Sequence, residues 1–283
     1  MHNQAETSRH VSRIVPGMPA SDGAGVKMLR VIGQPRLPNL DPFLMLDAFG
    51  SDDADDYIGG FPDHPHRGFE TVTYMLAGRM RHKDNQGNSG DLGPGSVQWM
   101  TAGRGLVHSE MPLQEAGRMA GFQLWVNLPA RDKMCAPRYQ DIPAADIPVV
   151  RAADGSEVKV LAGSYENARG PVQGVATDPT YLDVTLPANT GFKLQVPAGH
   201  TAFAYVFEGE VLFGEAAAAV SATHLAVLSA GERIIAACGA TPGRFILLAG
   251  KPLKEPIVQY GPFVMNTQAE IRQAVSDFQQ GRF

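Results

Sequence analysis

The chain has only two cysteines, Cys135 and Cys238, which lie far apart and show no Cys-x-x-Cys spacing. A disulfide framework is therefore not expected, and the pattern is typical of a reducing compartment. Charge is also scarce, because Asp, Glu, Lys and Arg together make up 19% of the residues and the net charge is −5. A slightly acidic balance offers no basic surface to a phosphate backbone, so we expect no direct binding of DNA or RNA.

Long apolar runs are missing as well. No segment approaches the roughly 20 consecutive apolar residues that cross a bilayer. The first six residues, 1–6, are polar and lack the apolar stretch of a secretory signal. A Gly-rich phosphate loop, a nucleophile elbow and a His-Glu-x-x-His motif are also absent from the sequence. We therefore expect a cytoplasmic protein that does not enter a membrane.

Glycine and proline are plentiful, with 31 and 21 residues, and 44% of the chain is apolar. Many turns combined with enough apolar material for a core favour an all-β fold over a helical one. The segments 70–76, 96–101 and 121–128 are bounded by turn residues and contain β-branched, aromatic or alternating apolar positions. They predict short strands.

A single segment, at the C-terminus, has a strong helical signal. Thr267 and Glu270 fit the capping-box pattern, and Gly281 stands where a C-terminal cap falls. The intervening apolar residues follow helical spacing: Ile271, Ala274, Val275 and Phe278. The pattern predicts a packing helix over 267–280.

The most informative feature is the pair His64 and His66, followed by Glu70 and later by His108 and Glu110. In an extended strand, side chains two or four positions apart emerge from the same face. His64 and His66 can therefore point into one cavity, as can Glu70 if it shares their strand, and a second strand could bring His108 and Glu110 to it. Burying several imidazoles together is costly unless something uses their lone pairs, which favours a metal over a polar cluster or an anion site.

The donor set suits a first-row metal such as Fe, Mn, Ni, Cu or Zn. The spacing leaves open which carboxylate is the ligand, because Glu70 matches the parity of the first histidine pair and Glu110 that of His108. For the other histidines, the sequence favours a structural or exposed position over a metal-binding one. His82 lies in a polar stretch that predicts a solvated loop, and His200 and His224 have no donor neighbours at ligand spacing.

The Pro-rich stretch 137–148 predicts an extended connector between two domains. The two halves are faintly similar, since 74–79 aligns with 205–210. On this alignment His64 and His66 correspond to Gln195 and Pro197, so a duplicated second unit would have no metal site.

Four stretches closely resemble the pirin family of the cupin superfamily: 41–47, 60–72, 98–105 and 263–274. The resemblance implies two tandem cupin (jelly-roll-like) β-barrels, with the metal in the N-terminal barrel 1–140. The second barrel, 141–283, would lack a metal and end in the helix 267–280.

In pirins, the metal ligands are two motif histidines, a third histidine and a nearby glutamate. They carry over onto His64, His66, His108 and Glu110, which leaves Glu70 a supporting or strand role. One iron per chain is the implied metal, with Cu, Mn, Ni or Zn as alternatives.

Two functions of different classes follow from this resemblance. The chain is similar to pirin-type quercetinases, which would use the metal and O2 to open a flavonol ring, with Glu110 as the catalytic proton acceptor. Other pirins are non-catalytic regulators in which the metal's redox state alters docking on transcription regulators or metabolic enzymes. A third possibility is a cupin that acts on an unrelated small molecule. The first predicts a small aromatic substrate, and the second predicts a protein partner.

Overall fold

The fold is built mainly from antiparallel β-strands, and the computed structural model describes residues 7–283. The polar segment 1–6, for which no secretory signal is predicted, lies outside the described residues. The first twelve strands of the described chain are β1 (Val11–Pro16), β2 (Met18–Asp22), β3 (Val26–Ile32), β4 (Phe43–Ser51), β5 (Phe61–His66), β6 (Phe69–Ala77), β7 (Met80–Asp84), β8 (Ser89–Leu92), β9 (Val97–Thr101), β10 (Leu106–Pro112), β11 (Met119–Asn127) and β12 (Arg138–Ile142).

The later strands are β13 (Val149–Arg151), β14 (Glu157–Ala162), β15 (Ser164–Tyr165), β16 (Ala168–Arg169), β17 (Thr180–Leu186), β18 (Gly191–Gln195), β19 (Thr201–Phe213), β20 (Ala218–Ser221), β21 (His224–Leu228), β22 (Arg233–Ala237), β23 (Gly243–Gly250), β24 (Val258–Tyr260) and β25 (Phe263–Met265). Short 3₁₀ turns occur at Ala54–Asp56, Ala130–Asp132 and Ala144–Asp146, and one α-helix, α1 (Gln268–Gln279), follows the last strand. The prediction of an all-β fold with a C-terminal helix is confirmed.

The strands form two compact units, neither of which is one continuous stretch. The N-terminal barrel contains 18–146 and 253–283, and the C-terminal barrel contains the residues up to Gly17 together with 147–252. The sequence instead predicts a single boundary after residue 140, with the helix in the second domain. Long-range pairing explains the difference. β1 pairs with β21, and a backbone bridge joins Arg67 to Phe263, next to α1.

The C-terminal barrel has an apolar interior. Its main sheet has the order β1-β21-β19-β23-β17-β14-β13; in addition, β20 and β22 pair with β19, and β18 pairs with β22. Phe192 and Phe213 both pack edge to face on Phe245, with ring centroids 5.8 and 5.2 Å away. Within its described residues, this barrel contains no group of three or more metal-binding side chains.

The N-terminal barrel has two main sheets, besides the two-stranded β24–β25 sheet. One has the order β5-β10-β7-β8, and the other has the order β12-β9-β6-β11-β4-β3-β2. Their inner faces meet, since the hydroxyl of Thr73 on β6 donates to the carboxylate of Glu110 on β10 at 2.9 Å. The predicted metal-binding histidines lie on β5 and β10, in the smaller sheet.

A sharp corner carries the chain from β5 in the small sheet to β6 in the large one. Gly68 sits at this corner with φ +88°, and a Cβ there would lie 2.1 Å from the carbonyl oxygen of Val264. A buried lysine, Lys133, fastens the corner, because its Nζ donates to the carbonyls of Gly68 (2.7 Å) and Val264 (2.9 Å) and to Oδ1 of Asn127 (2.7 Å). Burial lowers the pKa of Lys133 to about 8.

The helix α1 begins as the sequence predicts. The hydroxyl of the N-cap Thr267 accepts from the backbone amide of Glu270 at 3.2 Å, and the Glu270 carboxylate accepts from the Thr267 hydroxyl at 2.9 Å. Gly281 follows the helix with φ +65°. The helix therefore begins after the capping box and ends before Gly281, in agreement with the predicted ends.

The apolar face of α1 packs on the β24–β25 hairpin. Ile271 and Ala274 are buried in a cluster with Phe263 and Met265. Phe278 lies at the edge of this cluster, with its ring centroid 6.2 Å from that of Phe263. Within residues 7–283, no helix has both the length and the apolar character needed to span a membrane.

Arg67, which is only 3% exposed, connects the helix to the corner between β5 and β6. Its Nη1 donates to Asp277 on α1 at 2.7 Å, and its Nε donates to the carbonyl of Arg104 at 2.5 Å. The ring of Phe283 covers the same guanidinium, 4.3 Å from Cζ to the centroid. Hydrogen bonds from Arg67 and Arg282 hold the pKa of Asp277 well below its usual range.

Replacing Asp277 with Asn leaves the buried Arg67 without its carboxylate partner, so we expect the free energy of unfolding to fall by about 3 kcal/mol. Because the pKa of Asp277 is lower in the folded state, its stabilisation is complete above the ordinary carboxyl pKa of about 4 and is lost as the pH falls below it. Urea unfolding at about pH 7 and about pH 3 should therefore show a smaller acid destabilisation in Asp277→Asn than in the wild type.

The control is Asp52→Asn, because Asp52 and its partner Arg118 are both well exposed. Its effect should stay within about 0.5 kcal/mol. Equal losses in the two variants would show that the contact between Arg67 and α1 contributes no more than a surface ion pair.

Candidate metal centre

Three histidine side chains converge between the sheets. His64 and His66 occupy alternate positions of β5, which places them on one face. His108 on β10 is the register partner of His64. Their ring centroids are 4.4 to 5.0 Å apart, and one nitrogen of each lies within 4.8 Å of those of the other two.

The ring nitrogens of this group are largely unused by the protein. Neither nitrogen of His66 or His108 makes a hydrogen bond of normal geometry within residues 7–283. The Nδ1 of His64 lies 2.8 Å from the carbonyl of Pro62. Since a carbonyl can only accept, Nδ1 is the donor of this contact, and Nε2 is the nitrogen that remains available for a metal.

Burial keeps two of these imidazoles neutral. It lowers the pKa of His66 and of His108 well below the usual value, and the neighbouring imidazoles lower each further. The carbonyl of Pro262 opposes this effect only weakly for His66. Neutral, desolvated imidazoles with free lone pairs fit a divalent transition metal, whose binding would use electron pairs that no protein donor satisfies.

Glu110 lies two residues beyond His108 on β10 and is 2% exposed. Its Oε1 is 2.9 Å from the hydroxyl of Thr73, and its Oε2 accepts from Nε2 of Gln123 at 2.9 Å. The carboxylate is not part of the histidine group within 4.8 Å. Its role as a fourth ligand therefore stays a prediction.

The Thr73 hydroxyl has two acceptor oxygens as neighbours, Oε1 of Glu110 at 2.9 Å and Oε1 of Gln123 at 2.6 Å. One hydroxyl proton can serve only one of them. If Oε1 of Glu110 is protonated, it donates to Thr73 and Thr73 donates to Gln123, so that all three contacts become hydrogen bonds. The network can thus hold a proton on Glu110 without a donor clash.

His64 and His66 line a cavity of about 690 Å³ in the N-terminal barrel. Trp125 forms a wall beside the site, with its ring centroid 5.3 Å from that of His66. The cavity is lined by Asp22, Gly23, Met28, Arg30, Gly33, Gln34, Pro35, Pro38, Leu44, Met45, Asp47, Phe49, Phe61, Pro62, His64, His66, Glu110, Gln123, Trp125, Gln259, Gly261 and Pro262. The histidine site is therefore concave, and most of its lining is apolar.

Comparison with protein families identifies the relatives of this fold. The Pirin family model matches residues 25–126, and the model of the pirin C-terminal cupin domain matches residues 181–283. The chain belongs to the pirin family. The predicted architecture of two tandem cupin barrels is thereby confirmed.

Several relatives match this chain over nearly its whole length. A pirin-like protein of Caulobacter vibrioides is 53% identical over 97% of this chain and 99% of its own. A Pseudomonas aeruginosa protein with the provisional name quercetin 2,3-dioxygenase is 50% identical, over 96% of this chain and 97% of its own. The crystal structure of a quercetin 2,3-dioxygenase from Acinetobacter baumannii is 35% identical and superposes with a TM-score of 0.89, covering 98% of this chain and 99% of that one.

Glu70 of this pirin does not share the cavity with the histidines. The corner at Gly68 interrupts the alternation, so the parity argument that groups Glu70 with His66 fails. Phe69 is the residue that packs beside His66, at 5.1 Å between ring centroids. Glu70 accepts instead from the hydroxyl of Thr101 at 2.7 Å, and burial raises its pKa.

His82 is buried in β7, so the prediction of a solvated loop is wrong. Its Nε2 lies 3.0 Å from Oδ2 of Asp141, and its ring stacks on Tyr139 at 5.2 Å. The polar sequence around His82 hides the strand because only alternate residues face inward. His200 and His224 stand apart from the metal-site group, in the C-terminal barrel.

Thr73 and Gln123 are site residues that sequence reasoning misses. Each is a polar residue in a buried strand, and inward-facing polar side chains in such strands are the signal that could have found them. Their hydrogen bonds with Glu110 form only because the two sheets of the barrel face each other.

Protein reconstituted with Fe²⁺ without oxygen should contain about one metal per chain by elemental analysis. His66→Ala should lose most of it, because a buried donor disappears. Metal should also raise the unfolding temperature, since it binds the folded state. Both effects should persist at about pH 6 and weaken only at lower pH, because burial holds the pKa of His66 and of His108 well below the usual value and protons compete with the metal only there.

The matched control is His224→Ala in the C-terminal barrel, where Nδ1 of His224 lies near only a backbone carbonyl. This variant should bind metal as the wild type does. Retention of a full equivalent by His66→Ala would rule out the histidine group as the binding site.

Proposed function

We propose that this pirin is a metal-dependent dioxygenase that opens the ring of a flavonol, such as quercetin, with O2. The observation that carries the proposal is the group of three imidazoles, two of them buried with no nitrogen hydrogen-bonded, beside a largely apolar cavity. The likeness to the Acinetobacter quercetin 2,3-dioxygenase supports it.

His64, His66 and His108 would hold the metal, and Glu110 is the proposed fourth ligand. Iron is the first choice, and Cu, Mn, Ni or Zn also suit nitrogen and oxygen donors. When bound, the metal would polarise the substrate's oxygen and assist electron transfer to O2.

Glu110 is the proposed acceptor of the proton on the flavonol hydroxyl. Thr73 and Gln123 hold its carboxylate on the side of the cavity, within 2.9 Å of each oxygen. Once Glu110 is protonated, the Thr73 hydroxyl is free to donate to Gln123, so the network accommodates the added proton. A group that can take up the proton in place is what general base catalysis requires.

The cavity walls suit a flat aromatic molecule. Trp125 and Phe49 contribute rings to the lining, and Met45 and Met28 add flexible apolar surface. Burying the aromatic rings here removes apolar area from water and excludes water from the proton-transfer step.

Glu110→Gln should lower kcat for quercetin by about 10²- to 10³-fold, because glutamine cannot accept the proton. Oxygen uptake measures turnover, and elemental analysis of the same samples separates loss of the base from loss of metal. Glu115→Gln, an exposed glutamate on the following loop, is the control and should retain full activity.

Full activity in Glu110→Gln with one metal bound would exclude Glu110 as the base. If the metal-loaded wild type consumes no more oxygen than His66→Ala, the dioxygenase proposal fails. The regulatory alternative then becomes the better account, and a redox-dependent protein partner would be its test.

A further inference from the structure

A row of polar side chains crosses the floor of the cavity. Gln123 on β11 is the register partner of Asp47 on β4, and Asp47 is the register partner of Arg30 on β3. All three line the cavity. Neighbouring strands lie about 4.8 Å apart, so Arg30 stands about 10 Å from Gln123 across the sheet.

Apolar side chains flank this row on both sides. Two positions along β11 in one direction, Trp125 pairs with Met45. In the other direction Gly121 pairs with Phe49, and Phe49 with Met28. A Cβ on Gly121 would lie 2.7 Å from the ring of Phe49, so glycine is what allows that ring to pack there.

The far end of the row is an acidic cluster around one guanidinium. Nε and Nη2 of Arg30 bind both oxygens of Asp47 at 2.9 and 2.7 Å, and Nη2 also binds Asp22 at 3.0 Å. Asp47 is almost fully buried, whereas the side chain of Asp22 is 55% exposed. Two carboxylates share one cation, which leaves a formal charge of −1.

The whole cavity has this excess of acceptors. Among the cavity-lining residues of the described chain, Arg30 is the single arginine or lysine, against Asp22, Asp47 and Glu110. Together these three carboxylates can accept about twelve hydrogen bonds, more than the roughly five that Arg30 can donate. Such a surface attracts hydroxyl donors and repels anions.

We propose that Arg30, Asp47 and Asp22 form a subsite, remote from the histidines, that accepts hydrogen bonds from the phenolic hydroxyls of the substrate. The subsite selects uncharged, polyhydroxylated flat aromatics over carboxylated ones. The orientation rests on the proposed function, because the chelating edge of the substrate must face the histidines. The remaining rings then lie along the polar row, between its apolar flanks.

The test compares the affinities of two ligands for the wild type and a variant, and it needs no turnover. Zn²⁺-loaded protein, kept without oxygen, is titrated calorimetrically with quercetin and with 3-hydroxyflavone, which has the same chelating edge but no remote hydroxyls. Hydrogen bonds to charged groups are worth about a tenfold change in affinity or more, so wild-type protein should bind quercetin at least about tenfold tighter. In Asp22→Asn this ratio should fall to about threefold or less.

A third ligand separates recognition from mere structural support. A 3-hydroxyflavone with a carboxylate on its remote ring should bind the wild type more weakly than 3-hydroxyflavone, and Asp22→Asn should relieve part of that penalty. Asp91→Asn is the matched control, because Asp91 also forms a two-oxygen ion pair with an arginine, Arg81, but does not line the cavity. It should leave every ratio unchanged.

An equal affinity of the wild type for quercetin and 3-hydroxyflavone, or a ratio unaffected by Asp22→Asn, would overturn the subsite. So would failure of quercetin to bind. If the ratio and its loss in Asp22→Asn are observed while the iron-loaded enzyme consumes no oxygen, the subsite stands and the dioxygenase proposal fails. If both flavonols are turned over but bind with equal affinity, the dioxygenase proposal stands and the subsite fails.

Discussion

Convergence of three imidazoles, two of them buried, at one point between two sheets is the constraint on which the rest of the N-terminal barrel depends. Neutral imidazoles without hydrogen-bond partners are expensive to bury. His66 and His108 bear this cost most clearly, since their nitrogens have no partner of normal geometry among residues 7–283. A bound metal would use the lone pairs of these nitrogens and offset the cost of burying them. The arrangement is therefore consistent with a binding site and hard to explain as packing.

The rigid frame around this group is supplied by distant parts of the chain. Gly68 turns the backbone out of the histidine strand, and Lys133 fastens that turn to the hairpin before the C-terminal helix. Arg67 then binds Asp277 on the helix itself. The last segment of the chain therefore supports the strand that presents the histidines, although about two hundred residues separate them. This support explains why the helix belongs to the N-terminal barrel.

The cavity has two chemically distinct ends. Glu110, Thr73 and Gln123 form a hydrogen-bonded network at the histidine end, and the floor continues from Gln123 to the acidic cluster around Arg30. Apolar rows flank this path, so a flat molecule lying along it would meet the histidines at one end and the carboxylates around Arg30 at the other. In the proposed enzyme, reactivity and selectivity would thus reside on different strands of one barrel.

Composition and short-range patterns by themselves determined the all-β class, the capped helix after Thr267 and the pairing of His64 with His66, because each depends on local propensity or on the period of a single strand. The family resemblance then pointed to His108 and Glu110. Tertiary structure decided the rest. Alternation holds only inside a strand, so the corner at Gly68 removed Glu70 from the site. Residues from distant strands become neighbours only through long-range register, which no local pattern specifies. The burial of a histidine in a polar stretch, the discontinuous barrels and the polar row on the cavity floor all arise in this way.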